Sequence, residues 1–136
     1  MKTHQYELID EKVFEHEFDN GLKLFIIPKP GFQKTYVTYT TQFGSLDNHF
    51  KPIGNQQFVK VPDGVAHFLE HKLFEKEDED LFTAFAEENA QANAFTSFDR
   101  TSYLFSATSN IESNIKRLLN MVETPYFTEE TVNKEK

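Results

Sequence analysis

The sequence predicts an α+β domain in which an antiparallel sheet packs against helices. Three observations support this: a polar turn joins two strand-like segments near the N-terminus, strand and helix patterns alternate after it, and residues 110–122 repeat apolar side chains at helical spacing. The chain has 136 residues, 38% of them hydrophobic, and fifteen are phenylalanine. Because this apolar content suffices for one core and not for two, residues 1–136 are expected to form a single domain or part of one.

Strand patterns come first along the chain. The segments 13–18 and 22–27 flank residues 19–21, DNG, which tolerate positive φ, and together they predict a β-hairpin. Residues 35–41, TYVTYTT, are rich in β-branched and aromatic side chains and predict a third strand. The polar segment 45–62 predicts a long loop.

Helix signals begin after that loop. Asp63 is placed to cap a helix over residues 64–74, and a second helix is predicted over 80–88. Two further strands are predicted at 91–96 and 101–108, joined by a short polar turn.

The most periodic helix follows, with Asn110 as its predicted cap and Pro125 beyond its end. Its apolar stripe is Ile111, Ile115, Leu118, Leu119 and Val122. Thr128 then resembles another N-cap, with two glutamates in the first turn, yet the sequence ends at Lys136. Two interpretations stay open here: a frayed polar tail, or the N-terminal portion of a longer protein.

Composition excludes several functions. Fourteen basic residues stand against twenty-two acidic ones, and the net charge of −8 is the wrong sign for binding nucleic acid. No apolar run is long enough to span a membrane and the N-terminus has no signal-like apolar region, so no membrane association and a cytoplasmic location are expected. The chain has no cysteine, so any metal site must use nitrogen and oxygen ligands.

One stretch, GVAHFLEHKLF at 64–74, concentrates reactive side chains. On a helix, positions i, i+3 and i+4 share a face, so His67, Glu70 and His71 project within an arc of roughly 100°. Two imidazoles one turn apart can bind one zinc ion at about 2.0–2.1 Å. Glu70 can accept a proton from water whose pKa the metal lowers to about 7. The pattern therefore favours a metal site on this helix.

The same helix should present an apolar back to the core. Phe74 is expected to continue the face that carries the histidines, and the residues expected opposite it are Val65, Leu69 and Leu73. The alternative is that two histidines and a glutamate share a face by chance and form only local hydrogen bonds.

The wider sequence resembles a known family. His-x-x-Glu-His is the inverted zincin motif, and GVAHFLEHKLFE resembles the active-site helix of the pitrilysin and insulinase family of zinc metallopeptidases, of the bacterial processing type. Further matches occur in the same order: NGLK at 20–23, GS at 44–45, NAFTS at 93–97, TSY at 101–103 and PYF at 125–127. The resemblance covers residues 18–136. It implies a metalloprotease-like half-domain and a zinc-dependent endopeptidase acting on peptides or short unfolded segments.

The resemblance also implies roles for individual residues. His67 and His71 correspond to zinc ligands, and Glu70 to the general base. The third protein ligand of the family is a glutamate that would lie beyond Lys136, and Glu135 matches a supporting glutamate that precedes it. The expected partner is therefore the remainder of the same polypeptide or a homologous partner subunit, and residues 1–136 alone are expected to be inactive.

The segment Asn93, Ala94 and Phe95 is the implied substrate-binding strand, to which a peptide adds as an extra antiparallel strand. Without the resemblance, an ordinary strand with Phe95 in the core is the simpler interpretation. The acidic run at 75–80 is expected to be a solvated junction between helices, with no site.

Two other kinds of protein share features with this sequence. S-ribosylhomocysteine lyases also use His-x-x-Glu-His, but their third ligand is a cysteine, which this chain lacks. The second is a non-catalytic peptide-binding or structural subunit that keeps the fold, and zinc titration distinguishes it from an enzyme.

Overall fold

The computed structural model describes residues 1–134 and divides the chain into two compact units, Met1–Gln33 and Lys34–Lys136. The first unit is an antiparallel sheet of three strands, β1 (Lys2–Tyr6), β2 (Glu11–Glu17) and β3 (Lys23–Ile26), in the order β1-β2-β3. The predicted hairpin is confirmed as β2 and β3, with Gly21 at positive φ in its turn. No residue of this unit is buried.

Strand β1 was missed by the sequence prediction because its residues, KTHQY, are polar and show no apolar alternation. It pairs with β2 over its full length. Across this pair the His4 Nε2 lies 2.8 Å from the Glu15 Oε2. The hydrogen bond from His4 lowers the pKa of the Glu15 carboxyl. His4 therefore has a cross-strand partner.

The second unit contains five strands and four helices among the described residues. Its strands are β4 (Thr35–Thr41), β5 (His49–Phe50), β6 (Val59–Lys60), β7 (Ala90–Thr96) and β8 (Thr101–Ala107). Its helices are α1 (Val65–Leu73), α2 (Leu81–Glu87), α3 (Ile111–Glu123) and α4 (Glu129–Lys134). The predicted elements are confirmed to within a few residues, except that the loop at 45–62 contains the short antiparallel pair of β5 and β6.

The main sheet has the order β4-β8-β7, and both of its pairings are antiparallel. Strand β8 is therefore central, and most of its residues are buried. Strand β7 lies at one edge, and α1 and α2 pack against it. This arrangement brings the helix with the two histidines next to a strand edge.

Two helix caps differ from prediction. Asp63 does not cap α1: it accepts a hydrogen bond from the Asn48 amide at 2.9 Å, while Gly64 begins the helix at φ 87°, a conformation that favours glycine. Asn110 does precede α3, but it is left-handed and makes no side-chain cap. By contrast, Thr128 caps α4, as predicted, and Asp80, predicted as the first residue of the second helix, caps α2.

The core lies where α2, α3 and the end of α1 meet the main sheet. Its buried residues are Phe74, Leu81, Phe85, Ala90, Tyr103, Phe105, Ala107, Leu118 and Met121. Of the predicted α3 stripe, Leu118 is fully within the core and Ile111, Ile115 and Val122 pack against it. Among residues 1–134, no helix combines the length and apolar character needed to cross a membrane.

Candidate active site

Helix α1 brings together the three side chains that its spacing predicts. The Nε2 atoms of His67 and His71 lie 3.0 Å apart, and the two rings are nearly perpendicular, with centroids 4.6 Å apart. Both histidines are exposed, and Glu70 is half-buried. The two nitrogens therefore converge on a point that is accessible from solvent.

The histidine pair fits a shared metal ion. Two nitrogens bound at about 2.0–2.1 Å to one tetrahedral ion lie roughly 3.3 Å apart, so the observed pair needs to open by only a few tenths of an ångström. A direct hydrogen bond between the rings is the alternative at this distance. Within the described part of the chain, no set of three histidine, cysteine or carboxylate residues forms a metal cluster. The pair is thus suited to be part of a metal site whose remaining ligands come from elsewhere.

Glu70 is held from the neighbouring strand. Thr96, the last residue of β7, donates a hydrogen bond from its Oγ1 to the Glu70 Oε2 at 2.7 Å. The Tyr103 phenol is buried close by: burial, together with the negative charge of Glu70, raises its pKa well above the usual range. Tyr103 therefore stays a neutral phenol beside the carboxylate at physiological pH.

The buried residues of α1 lie on the side opposite the histidines, as expected, but two of them are not the residues that the sequence pattern named. Ala66 and Lys72 are its buried residues, and Leu73 packs against the core. Phe74, expected on the histidine face, is buried there and stacks on Phe82 with ring centroids 4.3 Å apart. Its backbone is still αR at the end of the helix, so helical spacing continues to place it on the side of Glu70 and His71, where it borders the same cavity.

Lys72 is a fully buried charged side chain, with 0% exposure. Its ammonium group forms an ion pair with Glu75, whose side chain is 37% exposed. This pair offsets the cost of burying the lysine charge. It also engages the carboxylate that lies one turn beyond His71, which leaves Glu75 poorly placed to serve as a third metal ligand.

A cavity of about 270 Å³ opens beside Glu70 and His71. Its wall includes the stacked Phe74 and Phe82 rings, and Asn93 and Ala94 of β7 complete the side nearest the sheet. Phe95 is not in that lining among the described residues and is 43% exposed, so the alternative that placed Phe95 in the core is wrong. Of the predicted site residues, Glu70, His71, Asn93 and Ala94 thus border one space, whereas His67 and Phe95 do not line it.

The edge of β7 is partly covered by its own side chain. The Ala94 N–H donates to the Asn93 Oδ1 at 2.8 Å. An incoming peptide that pairs with this amide must displace the Asn93 carboxamide. Glu135, the supporting glutamate implied by the family resemblance, lies outside the described residues.

Sequence reasoning missed Thr96 and Lys72. Thr96 is 26 positions from Glu70, so no local spacing rule connects them. The family match NAFTS included this threonine without giving it a role. For Lys72, the charged side chain itself favoured a solvent-exposed position.

Comparison with known proteins gives consistent matches. The family described as Insulinase (Peptidase family M16) matches residues 60–136. The chain is 54% identical over 136 residues to the zinc protease YmfH of Bacillus subtilis (strain 168), covering 100% of this chain and 32% of that protein. It is 30% identical over 129 residues to the insulin-degrading enzyme of Homo sapiens, covering 88% of this chain and 11% of that enzyme.

Solved structures agree. An M16-like peptidase from Alicyclobacillus acidocaldarius matches with a TM-score of 0.85 and 39% identity, over 92% of this chain and 29% of that one. Pitrilysin matches with a TM-score of 0.73 over 97% of this chain and 14% of its own, and at 19% identity this supports the fold alone. The predicted α+β architecture is therefore confirmed. The chain spans about a third of the length of YmfH and less of the human enzyme.

Proposed function

The chain belongs to the insulinase family of peptidases, family M16, and on that premise we propose that it carries the metal-binding and proton-accepting groups of a zinc-dependent endopeptidase. The observation that carries the proposal is the pair of Nε2 atoms 3.0 Å apart on α1, with Glu70 beside them. Proteins similar to this chain are named zinc proteases, which supports zinc as the metal.

The proposed chemistry assigns one task to each side chain. His67 and His71 would hold zinc through their Nε2 atoms. When bound, zinc supplies Lewis-acid polarisation of a carbonyl oxygen and makes water more acidic. Glu70 accepts a proton from the attacking water through its carboxylate. Tyr103 and the apolar wall near Phe74 limit the water around that carboxylate, which strengthens its interactions.

Substrate binding is proposed along β7. A peptide added at the strand edge would be held extended by its backbone, and one of its side chains could enter the cavity beside Phe74 and Phe82. Such binding requires an unpaired, extended segment, so we propose peptides or short unfolded segments as substrates. Asn93 and Ala94 would contact the peptide directly, and Phe95 would contact it at the exposed edge.

We further propose that residues 1–136 are the N-terminal portion of a longer metallopeptidase domain. Two facts support this: the chain spans 32% of YmfH, and the described residues offer two histidines without a third clustered ligand. The remaining ligand would come from the rest of the polypeptide or from a homologous partner subunit. A cytoplasmic location stays a prediction, which cell fractionation would test.

The test uses the full-length protein that contains this sequence. His67→Ala and His71→Ala should each abolish stoichiometric zinc, whereas Glu70→Gln should keep zinc and lower peptide cleavage by about 10²-fold or more. Metal analysis and a quenched fluorescent peptide library with and without chelator provide the two measurements. His49→Ala, a histidine on β5 outside the site, is the matched control and should retain both properties.

Two outcomes would contradict this proposal. Equal loss of zinc in all three variants would make Glu70 a ligand instead of a base. Stoichiometric zinc in the unaltered protein without any chelator-sensitive cleavage would favour the alternative, a non-catalytic peptide-binding or structural subunit.

A further inference from the structure

Thr96 makes a contact with Glu70 that the proposed chemistry does not by itself explain. The Thr96 hydroxyl donates to the Glu70 Oε2 at 2.7 Å, within the range of charge-assisted O–H···O⁻ hydrogen bonds. A carboxylate has two oxygens that can accept. The contact occupies Oε2 and leaves Oε1 to take a proton from water.

Thr96 is held in place by the strand ladder and by the turn that follows it. It pairs with Thr101 of β8 at the end of the ladder, and the next residue closes a tight turn through the Ser97 N–H to the Arg100 carbonyl at 2.8 Å. The Ser45 N–H donates to the Ser97 carbonyl at 2.9 Å and braces that turn from a second segment. Threonine is β-branched, so few χ1 rotamers are open to it. The hydroxyl is therefore a fixed point, and the longer glutamate side chain adjusts to it.

We propose that Thr96 is a positioning residue for Glu70. Its hydroxyl restricts the carboxylate to one orientation on the face that carries His67 and His71, so that the free oxygen meets the water to be deprotonated. Positioning of this kind affects the chemical step more than substrate binding, because displacement of a catalytic group by about 1 Å can cost on the order of 10²-fold in rate. This inference rests on the proposed function, since it assigns Thr96 a task only if Glu70 is the base.

The experiment compares variants of the full-length zinc-loaded protein. Thr96→Val removes the hydroxyl at nearly constant shape, and we expect kcat to fall about tenfold or more while zinc content and KM stay within about twofold. Thr96→Ser keeps the hydroxyl and should recover most of kcat. Thr96→Ala is measured beside them, so that a folding defect peculiar to valine does not decide the result.

Thr101→Val is the matched control. It removes a hydroxyl from the cross-strand neighbour, where Thr101 Oγ1 donates to the Phe43 carbonyl at 2.8 Å and not to Glu70. This variant should lower the melting temperature with little change in kcat. A loss of kcat as large as that of Thr96→Val would assign both effects to the fold and overturn the inference.

Two further outcomes separate this inference from the proposed function. If Thr96→Val and Thr96→Ala keep full kcat, or if Thr96→Ser is as slow as they are, the inference is wrong even when Glu70→Gln is inactive. If Glu70→Gln itself keeps full activity with zinc bound, the proposed role of Glu70 fails, and the positioning role fails with it.

Discussion

Gly44 occupies a position where no side chain fits. A Cβ atom built there would lie 2.5 Å from the Phe98 carbonyl oxygen and 2.6 Å from the amide nitrogens of Asp99 and Arg100. All three are backbone atoms, so they cannot move aside as the end of a flexible side chain can. The glycine therefore allows the segment after β4 to lie against the turn that follows Thr96.

We predict that Gly44→Ala destabilises the protein by about 2 kcal/mol or more, because overpacking against backbone forces the turn at 97–100 to shift. Thermal unfolding followed by circular dichroism measures the loss. Gly54→Ala is the control: Gly54 has φ 80° but nothing within 4 Å of a built Cβ, so its cost of roughly 1 kcal/mol is conformational. A melting temperature for Gly44→Ala at or above that of Gly54→Ala would contradict the packing argument.

Contacts between residues close in sequence could be predicted, whereas contacts between residues far apart in sequence could not. The histidine spacing on α1 is local, and helical geometry alone brings His67 and His71 together. The Thr96 contact to Glu70 depends on how β7 packs beside α1, which no short-range pattern encodes. The cap of α1 was predicted wrongly for a related reason: Asp63 had the right side chain for a cap, but the partner it meets, Asn48, lies on a distant loop.

At the scale of elements, the junction between α1 and α2 is more than a solvated linker. The acidic run at 75–80 is largely exposed, as predicted, but its side chains tie neighbouring elements together. Lys76 Nζ donates to the Thr124 carbonyl at the end of α3, and Asp80 caps α2. Burial lowers the pKa of Lys76. The sequence predicted a charged segment at 75–80, but the contact of Lys76 with α3 depends on tertiary packing and could not be predicted.

Arg117 of α3 links both ends of α2. Its guanidinium lies 3.1 Å from Glu79 and 3.1 Å from Glu88, and it packs over the Phe85 ring at 5.8 Å. The pKa of the Glu88 carboxyl lies below its ordinary value of 4.5, first because Ser113 donates a hydrogen bond to it and then because Arg117 is near. The ionised form of Glu88 is therefore favoured in the folded state.

This shift predicts a pH dependence of stability. A carboxyl whose pKa is lower when folded stabilises the protein above its unfolded pKa, and that contribution is lost as pH falls through the folded pKa. We expect Glu88→Gln to show a smaller drop in melting temperature than the unaltered protein between pH 6 and about pH 3. Glu123→Gln, an exposed glutamate at the end of α3, is the control. Parallel curves for all three proteins would contradict the prediction.

Strand β7 gives a prediction about peptide binding. Ala94→Pro removes the amide that now donates to Asn93, and the ring adds bulk at the sheet edge. We expect zinc content to stay unchanged and peptide affinity to fall about tenfold. The affinity falls because one hydrogen bond between the strand edge and the peptide is lost and the peptide packs less closely against the proline ring. Fluorescence polarisation with a labelled peptide and the Glu70→Gln protein measures affinity without cleavage. Ala94→Gly keeps the amide and should bind nearly normally, and unchanged affinity in the proline variant would remove β7 from substrate binding.

Elements were predicted well where the signal was local. The turn at 19–21, the stripe of α3 and the cap at Thr128 each follow from residues within one element. Strand β1 carried no apolar alternation and becomes a strand only by pairing with β2. The β5 and β6 pair is two residues long on each side, too short for any periodic pattern.

At the scale of the whole molecule, the two units differ in how much they bury. The core residues all lie in the second unit, whereas the first unit, Met1–Gln33, has none buried and exposes large apolar side chains. The most exposed of these are Leu8, Met1, Phe32 and Ile9. A three-stranded sheet without a buried face is marginally stable in water. The polypeptide of residues 1–136 is therefore expected to fold only partly or to associate in solution.

The last prediction concerns that polypeptide and its metal. Its described residues provide His67 and His71 as a pair without a third clustered ligand, whereas structural and catalytic zinc sites use at least three protein ligands. Loss of a supporting contact around zinc typically costs 10–100-fold in affinity, and loss of a direct ligand should cost no less. We therefore expect residues 1–136 to bind zinc at least about tenfold more weakly than the full-length protein. Isothermal titration measures both affinities, and the fluorescent peptide library should show no measurable cleavage by the shorter form. His67→Ala in the shorter form is the control, since it should abolish the residual binding. Tight zinc binding with chelator-sensitive cleavage by residues 1–136 would place the third ligand within this sequence, and the proposal that the metal site is completed from outside it would be wrong.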